Sequence, residues 1–272
     1  MNKKPALLRL IEEGYRIYVA TQPAIFKELT ISPELKPHIR FLDCLLAENR
    51  DWYNDKITEL NKKVFGPKSM PTDKWVDHHF GIACGVTLGL LNPAGEPISM
   101  TRFIRHFEED SIHEWTFLID PKYEGRGFGK ATLALECEFS KNKKRISLTT
   151  QLDNNAIALY LHLANEGNPL ELIAIGFHHT HSNSILAITD IPKNSESIVE
   201  KYKMPPIDEG ILINEETQLF PGKYLILSND LFGRKKISQD LKQGSKYKII
   251  GWYKDWKEKG IEVPLTMIEK IK

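Results

Sequence analysis

The sequence predicts a mixed α/β protein in which helices flank a mixed β-sheet, followed by a small β-rich module. β-prone apolar runs alternate along the chain with runs whose apolar residues recur at helical spacing. A glycine-rich turn also stands between a predicted strand and a predicted helix. The stretch Lys193 to Glu209 contains two adjacent prolines and little periodicity, which is typical of a linker. We therefore expect one domain over residues 1–194, and a linker with the β-rich module over residues 195–272.

The first elements are predicted to be a strand and then helices. The residues from Tyr15 to Ala20 alternate and are β-prone, which indicates a strand. Apolar residues from Phe41 to Val64 recur at helical spacing among charged residues. This part predicts one long or two short amphipathic helices, ended by Gly66 and Pro67.

The rest of the first domain alternates between strands and helices. Asn92 to Gly95 form a predicted turn between two strands, and the glycines after Asp120 lead into a helix. The predicted elements are, in order, strands over 82–91, 97–104 and 112–119, a helix over 130–141, a strand over 145–152, a helix from Asp153, and strands over 170–179 and 184–191.

The charge balance excludes a general attraction to polyanions. The 37 basic and 36 acidic residues give a net charge of +1, so neither nucleic acid nor an acidic membrane surface is an expected partner of the whole chain. The longest weakly polar stretch, Phe80 to Leu91, is shorter than the roughly 20 residues that span a bilayer. Arg9 and Glu12 interrupt the apolar start before a leader peptide could form. We expect a cytoplasmic protein.

The cysteines and histidines do not predict a metal site. The three cysteines are widely spaced and form no CxxC pair, which argues against a disulfide framework and a zinc site. His179 and His181 would share one face of a strand, but no carboxylate or cysteine stands at metal-site spacing beside them. No metal is expected.

The most informative segment runs from Phe117 to Ala131. Closely spaced glycines between a strand and a helix let several backbone N–H groups point into one concavity at the helix N-terminus, which suits a phosphate. A P-loop would need glycine at Glu124 and serine or threonine at Ala131, and a dinucleotide fingerprint would need glycine at Lys130. Neither nucleotide motif fits.

The same segment resembles the acetyl-CoA loop of the GNAT N-acetyltransferases. Gly127 and Gly129 fill the glycine positions of that loop, whereas Glu124 stands where the family prefers glutamine or arginine. Residues Asp153 to Tyr160 resemble the family's Asn-x-x-Ala-x-x-Leu-Tyr segment, with Asp153 at the usual asparagine position. The two motifs occur in the family's order, separated by one helix and one strand.

The resemblance implies a splayed mixed sheet with acetyl-CoA, as co-substrate, between its two central strands. Backbone groups of the strand before the loop would hold the pantetheine arm, N–H groups of the loop would hold the pyrophosphate, and an asparagine after the next strand would reach the pantetheine. The residues so assigned to the cofactor are Phe117, Leu118, Ile119, Gly125, Arg126, Gly127, Phe128, Gly129, Lys130, Asn154 and Asn155.

The resemblance also implies direct attack of a neutral amine on the thioester. Glu114 is the predicted base, on the face of its strand opposite to Phe117, and Tyr160 is the predicted acid that protonates the thiolate. His113 and Asp110 are reserve candidates for the base. The alternatives are a carboxylate on the strand surface or in an ion pair for Glu114, and an aromatic ring packed under the sheet for Tyr160.

The expected function is transfer of an acetyl group from acetyl-CoA to an amine of a small molecule or a protein. The sequence does not identify the amine or the oligomeric state. One alternative is a non-catalytic acyl-CoA-binding or protein-interaction module with the same fold. Another is nucleic-acid binding by residues Lys223 to Lys272, where twelve basic and six acidic residues give +6.

Overall fold

The computed structural model describes residues 6–66, 78–82, 84–106, 110–164, 168–176, 183–199, 201–254, 257–258 and 261–271. The chain divides into two compact units. Unit 1 comprises residues 1–144 and 191–200, and unit 2 comprises residues 145–190 and 201–272.

In its described residues, unit 1 contains five strands in the order β2-β1-β3-β4-β5. Strands β1 and β2 are parallel, and the other neighbours are antiparallel. The strands are β1 (Arg16–Thr21), β2 (Ile39–Asp43), β3 (Val86–Leu91), β4 (Ser99–His106) and β5 (Ser111–Ile119), and the helices are α1 (Ala6–Glu12), α2 (Pro23–Glu28), α3 (Ala47–Phe65) and α4 (Phe128–Phe139).

Helix α3 covers one face of this sheet. Its buried residues Tyr53, Ile57 and Leu60 recur every three or four positions and pack in one cluster with Met100 and Leu118. The helix ends at Phe65, and the next residue, Gly66, has a φ angle of 81°, which residues with a side chain rarely adopt.

The predicted helical conformation at Phe41 is wrong. Phe41 lies on β2, opposite Val19 of β1. Parallel pairing with β1 satisfies the backbone of β2 and buries Leu42, and this long-range pairing overrides the local spacing of apolar residues. The helix begins only at Ala47.

Strand β5 contains a β-bulge that changes which side chains share a face. Thr101 of β4 is opposite Phe117, and Phe103 is opposite Glu114, so two steps on β4 match three on β5. Opposed residues of antiparallel strands lie on the same face, and so do Thr101 and Phe103, which are two positions apart. Glu114 and Phe117 therefore share a face. The prediction from strict alternation is wrong because Trp115 adds a residue to the strand.

The part of unit 2 that the structure describes contains seven strands in the order β6-β8-β7-β11-β14-β10-β9, a separate hairpin β12-β13 and two α-helices. Strands β9 and β10 are parallel, so this sheet is mixed as well. The elements are β6 (Arg145–Gln151), α5 (Ala156–Tyr160), β7 (Leu170–Ile175), β8 (Ser184–Asp190), β9 (Ile211–Leu212), β10 (Gly222–Leu227), α6 (Leu231–Lys242), β11 (Tyr247–Tyr253), β12 (Lys257–Glu258), β13 (Ile261–Glu262) and β14 (Leu265–Lys270).

The predicted mixed α/β class, with helices flanking a mixed sheet, is confirmed. The division after residue 194 stays a prediction, while in the structure Tyr247 of β11 pairs with Leu172 of β7 inside unit 2. Helix α6 was not expected from the sequence. It begins after Asp230, whose carboxylate accepts hydrogen bonds from the N–H groups of Phe232 and Gly233. In the described part of the chain no helix has the length and apolar character that a bilayer crossing requires.

Candidate active site

The glycine-rich segment forms a tight connection between β5 and α4. Asp120 follows β5 and accepts a hydrogen bond at 3.0 Å from the N–H of Lys122, which starts a short 3₁₀ turn. Gly125 and Gly127 then have φ angles of 70° and 88°, where an L side chain would be strained. The sequence needs glycine at these positions so that the chain can turn directly into helix α4.

The N-terminus of α4 presents unused backbone donors. The N–H of Ala131 donates to the carbonyl of Gly127 at 3.1 Å, so the N–H groups of residues 128–130 precede the first hydrogen bond of the helix. The helix dipole adds positive potential at the same point. This arrangement can hold an anionic group such as a pyrophosphate.

The charged side chains around the loop do not place an unpaired carboxylate against the proposed anion site. The ammonium of Lys63 lies 3.0 Å from the Asp120 carboxylate, which neutralises that acid. The exposed guanidinium of Arg126 lies over the Tyr123 ring, at 5.3 Å from its centroid. Glu124 is exposed, and in the described part of the chain it forms no ion pair. Its carboxylate is therefore not held against the loop.

Glu114 lies in a buried acidic pair. It is 1% exposed and lies on the face of β5 towards α4, where its carboxyl group is hydrogen-bonded to that of Glu136. The Glu136 carboxylate oxygen Oε2 accepts a hydrogen bond from Thr101 Oγ1 at 2.8 Å. Burial, and then the charge of Glu114, raise the pKa of Glu136 well above its ordinary value. A hydrogen bond between two carboxyl groups needs a proton, so at least one of the two groups is protonated when this bond forms.

Sequence reasoning missed Glu136. The available signal was a single acid inside the otherwise apolar stretch Leu133 to Cys137 of a predicted helix, since an acid in such a place is buried and needs a partner.

A second buried polar group lies on the opposite face of the same sheet. The guanidinium of Arg102 donates from Nε to the Tyr53 hydroxyl at 2.9 Å, and that hydroxyl lies 3.1 Å from Thr87 Oγ1. His79 Nε2 lies 3.4 Å from the same Thr87 oxygen. Burial and the charge of Arg102 lower the pKa of His79 to about 3. This imidazole is neutral at physiological pH, and we call these four residues the Arg102 network.

The polar residues before α5 have different partners. Asn154 Oδ1 accepts from the N–H of Ala156 at 2.9 Å and so caps the first turn of the helix. Asp153 accepts at 3.0 Å from the side-chain amide of Asn183. In the described part of the chain the side chain of Asn155 is exposed and makes no hydrogen bond. Tyr160, the last residue of α5, is 2% exposed.

The predicted site residues fall into both units. Unit 1 holds Glu114, the strand residues Phe117, Leu118 and Ile119, and the loop from Gly125 to Lys130. Unit 2 holds Asn154, Asn155 and Tyr160.

The helix after the second motif is short. Helix α5 spans five residues and continues as a 3₁₀ turn, Leu161–Leu163. His178, His179 and His181 lie outside the described residues, and within the described ones no group of three or more histidine, cysteine or acidic side chains could hold a metal ion.

Comparison with known proteins assigns a family to the central part of the chain. Residues 47–164 match the model of the acetyltransferase (GNAT) family. This chain contains a GNAT acetyltransferase domain. The match includes α3, β5, the glycine loop and α5, and it confirms the resemblance seen in the sequence.

Solved structures with a similar arrangement are also acetyltransferases by their descriptions. The ribosomal-protein-S18-alanine N-acetyltransferase from Escherichia coli is 17% identical, with 50% of this chain and 86% of that chain covered and a TM-score of 0.41. A putative N-acetyltransferase from Lactobacillus plantarum is 11% identical, with 66% and 99% covered and a TM-score of 0.43. These similarities are too distant to establish an activity. No curated protein matches the chain.

Proposed function

We propose that this protein is a cytoplasmic N-acetyltransferase that transfers the acetyl group of acetyl-CoA to an amine. The observation that carries the proposal is the glycine loop at the N-terminus of α4, which lies inside the GNAT domain and presents backbone donors to an anion. The acceptor is an amine of a small molecule or of a protein.

The loop and the strand before it would bind the cofactor. The N–H groups of Gly125 to Lys130 would hold the pyrophosphate, with the exposed guanidinium of Arg126 beside them. Backbone groups of Phe117 to Ile119 would hold the pantetheine arm. In unit 2 we assign the pantetheine contact to Asn155, because the side chains of Asp153 and Asn154 are already hydrogen-bonded within the protein.

The reaction would proceed by direct attack. The amine nitrogen forms a bond to the thioester carbonyl carbon while Glu114 takes the amine proton, and the carbon–sulfur bond then breaks. Tyr160 gives its phenolic proton to the departing thiolate, and exchange with solvent restores both groups. The pair with Glu136 supports the role of Glu114, since burial favours the protonated form of Glu136 and the hydrogen bond between the two groups orients the Glu114 carboxyl group.

The first test is calorimetric titration of the protein with acetyl-CoA, CoA and NADH. We expect micromolar binding of acetyl-CoA and none of NADH. Gly127→Ala forces a side chain into a backbone with φ of 88°, and we expect it to weaken acetyl-CoA binding at least tenfold. The matched control is Gly244→Ala, which imposes the same strain at φ of 94° in the turn after α6.

Two outcomes would contradict the proposal. Wild-type protein that binds neither acetyl-CoA nor CoA is not an acetyl-CoA enzyme. Equal loss of binding in Gly127→Ala and Gly244→Ala would show that backbone strain, and not the loop, controls binding.

The second candidate is a non-catalytic acyl-CoA-binding protein. It is favoured by Glu124 and Asp153, which depart from the family's motif, and by the hydrogen bond that occupies Asp153. Acetyl-CoA binding without turnover in a screen of small amines and peptides would support this candidate.

A further inference from the structure

A buried hydrogen bond joins the C-terminal segment to the loop before α5. The indole Nε1–H of Trp252, on β11, donates to the carbonyl of Leu152 at 2.9 Å. Trp252 is 6% exposed and Leu152 is buried, so solvent does not compete for this hydrogen bond. Leu152 directly precedes Asp153, Asn154 and Asn155, and the bond fixes the point from which these residues leave strand β6.

The same loop is fixed from a second side by the turn before β8. The N–H of Leu152 donates to the carbonyl of Asn183 at 3.0 Å, and the Asn183 side chain donates to Asp153. Both backbone groups of Leu152 are thus hydrogen-bonded. Asp153 is kept in place as well, and Asn155 is the exposed residue of this loop whose side chain makes no hydrogen bond in the described part of the chain.

The C-terminal segment also supports the end of α5. Tyr202 donates its hydroxyl to the carbonyl of Ile250 on β11 at 3.3 Å. The His162 ring, in the 3₁₀ turn after α5, meets the Tyr202 ring edge to face at 6.4 Å. Strand β11 and Tyr202 therefore contact both the beginning and the end of the segment that carries Asn155 and Tyr160.

We propose that Trp252 is a positioning residue for acetyl-CoA binding, and that the C-terminal segment belongs to the acetyltransferase machinery. Its indole N–H holds the Leu152 carbonyl so that Asn155 is presented in one orientation. This inference rests on the proposed function, because it assumes that the loop from Leu152 to Asn155 contacts the cofactor. It assigns a role to residues beyond the part of the chain that matches the family model.

The test is Trp252→Phe, which removes the N–H donor and keeps an aromatic ring. We expect the Kd for acetyl-CoA to rise about five- to tenfold, since a loop that samples several orientations binds with lower affinity. The kcat at saturating acetyl-CoA should stay within about twofold, because a bound cofactor restores the loop orientation. Hydrogen exchange of the amides of residues 153–155 should accelerate in the same variant.

The matched control is Tyr253→Phe, at the next position of β11. It removes a hydroxyl that donates to the carbonyl of Pro205 at 2.6 Å, so a comparable hydrogen bond is lost without touching Leu152. We expect unchanged Kd and unchanged exchange at residues 153–155. Both variants are compared at a temperature where urea titration shows them fully folded.

The outcomes separate this inference from the proposed function. If the wild type does not bind acetyl-CoA, the proposed function is wrong. If the wild type binds and Trp252→Phe binds equally well, or if both variants lose affinity equally, the positioning role is wrong. If Trp252→Phe does not fold, Asn183→Ala removes the side-chain amide that holds Asp153 while the backbone bond to Leu152 remains, and an unchanged Kd in that variant would overturn the inference.

Discussion

The two faces of strand β4 bury ionisable groups of opposite kind. Thr101 and Arg102 are neighbours on β4, so their side chains leave the strand on opposite sides. Thr101 donates to Glu136 on α4, and Arg102 donates to Tyr53 on α3. One face therefore holds a pair of acids, and the other holds a guanidinium with a histidine.

Burial has the same physical effect on both faces. It penalises the charged form, so the pKa of Glu136 rises and the pKa of His79 falls to about 3. Burial therefore favours the uncharged form of both groups. The faces differ in the chemistry that we propose for them, since the α4 face contains the Glu114 carboxyl group, the proposed base. We expect catalysis to depend on the α4 face and stability to depend on both.

The largest expected effect is on turnover at the α4 face. Glu114→Gln removes the proposed base, and kcat should fall about 100-fold or more while acetyl-CoA binding is unchanged. The measurement is steady-state turnover together with calorimetric titration. A kcat within tenfold of the wild type would show that Glu114 is not the base.

Tyr160→Phe tests the proposed acid independently. The variant keeps the ring and removes the phenolic proton, so kcat should fall and the loss should be largest for acyl donors whose thiol leaving group is most basic. Equal turnover of Tyr160→Phe and the wild type would leave Tyr160 with a packing role only.

The next effect is on stability at the α3 face. Tyr53→Phe removes the hydroxyl that accepts from Arg102 Nε, which leaves a buried charged donor without this acceptor. We expect the free energy of unfolding to fall by about 2–3 kcal/mol, with kcat within twofold of the wild type. Urea titration measures the first quantity.

The control is Tyr18→Phe. The Tyr18 hydroxyl is also buried, but it donates to a neutral acceptor, the Ser99 carbonyl at 3.1 Å. Its loss should cost about 1 kcal/mol. Equal losses in the two variants would show that the charge of Arg102 adds nothing to the Tyr53 hydrogen bond.

Sequence reasoning anticipated the parts of this site that depend on local rules. Gly125 and Gly127 indicate a tight connection with positive φ angles, which glycine adopts readily. Asp120 indicates the end of the strand and the turn that follows it. The bulge at Trp115 depends on pairing with β4 and leaves no local pattern. The face of Glu114 was therefore predicted wrongly, and its partner Glu136, 22 positions further along the chain, was not foreseen.

The Arg102 network was missed for a related reason. Its four members come from four separate elements, and each has an ordinary sequence context. The role of Trp252 shows the same limit, because its hydrogen bond joins residues 100 positions apart.

The pH dependence of stability should distinguish the two faces. A carboxyl group whose pKa is raised by folding adds stability below its unfolded pKa of 4.5, and this stability is lost as the pH rises through the folded pKa. Glu136→Gln removes this dependence. The variant's stability relative to the wild type should therefore increase with pH above 4.5, by about 1 kcal/mol per pH unit until the folded pKa is reached.

His79 should give the opposite slope. Its pKa falls from 6.5 to about 3 on folding, so protonation favours the unfolded chain and stability is lost as the pH falls below 6.5. In the wild type the two slopes oppose one another between pH 4.5 and 6.5. Urea titrations across this range should therefore show a steeper acid-side loss in Glu136→Gln than in the wild type. Parallel curves for the two proteins would mean that the Glu136 carboxyl has the same pKa in both states.

The smallest expected effect is at Asp110, the exposed candidate for the base. Its carboxylate forms an ion pair with the Lys144 ammonium at 3.1 Å, and both side chains are largely exposed, so solvent screens the attraction. Asp110→Asn should change the free energy of unfolding by less than about 0.5 kcal/mol and leave kcat within twofold of the wild type. If kcat instead fell as far as in Glu114→Gln, the exposed Asp110 would be a candidate for the base. Burial beside Glu136 would then not be required for a carboxylate to act as the base.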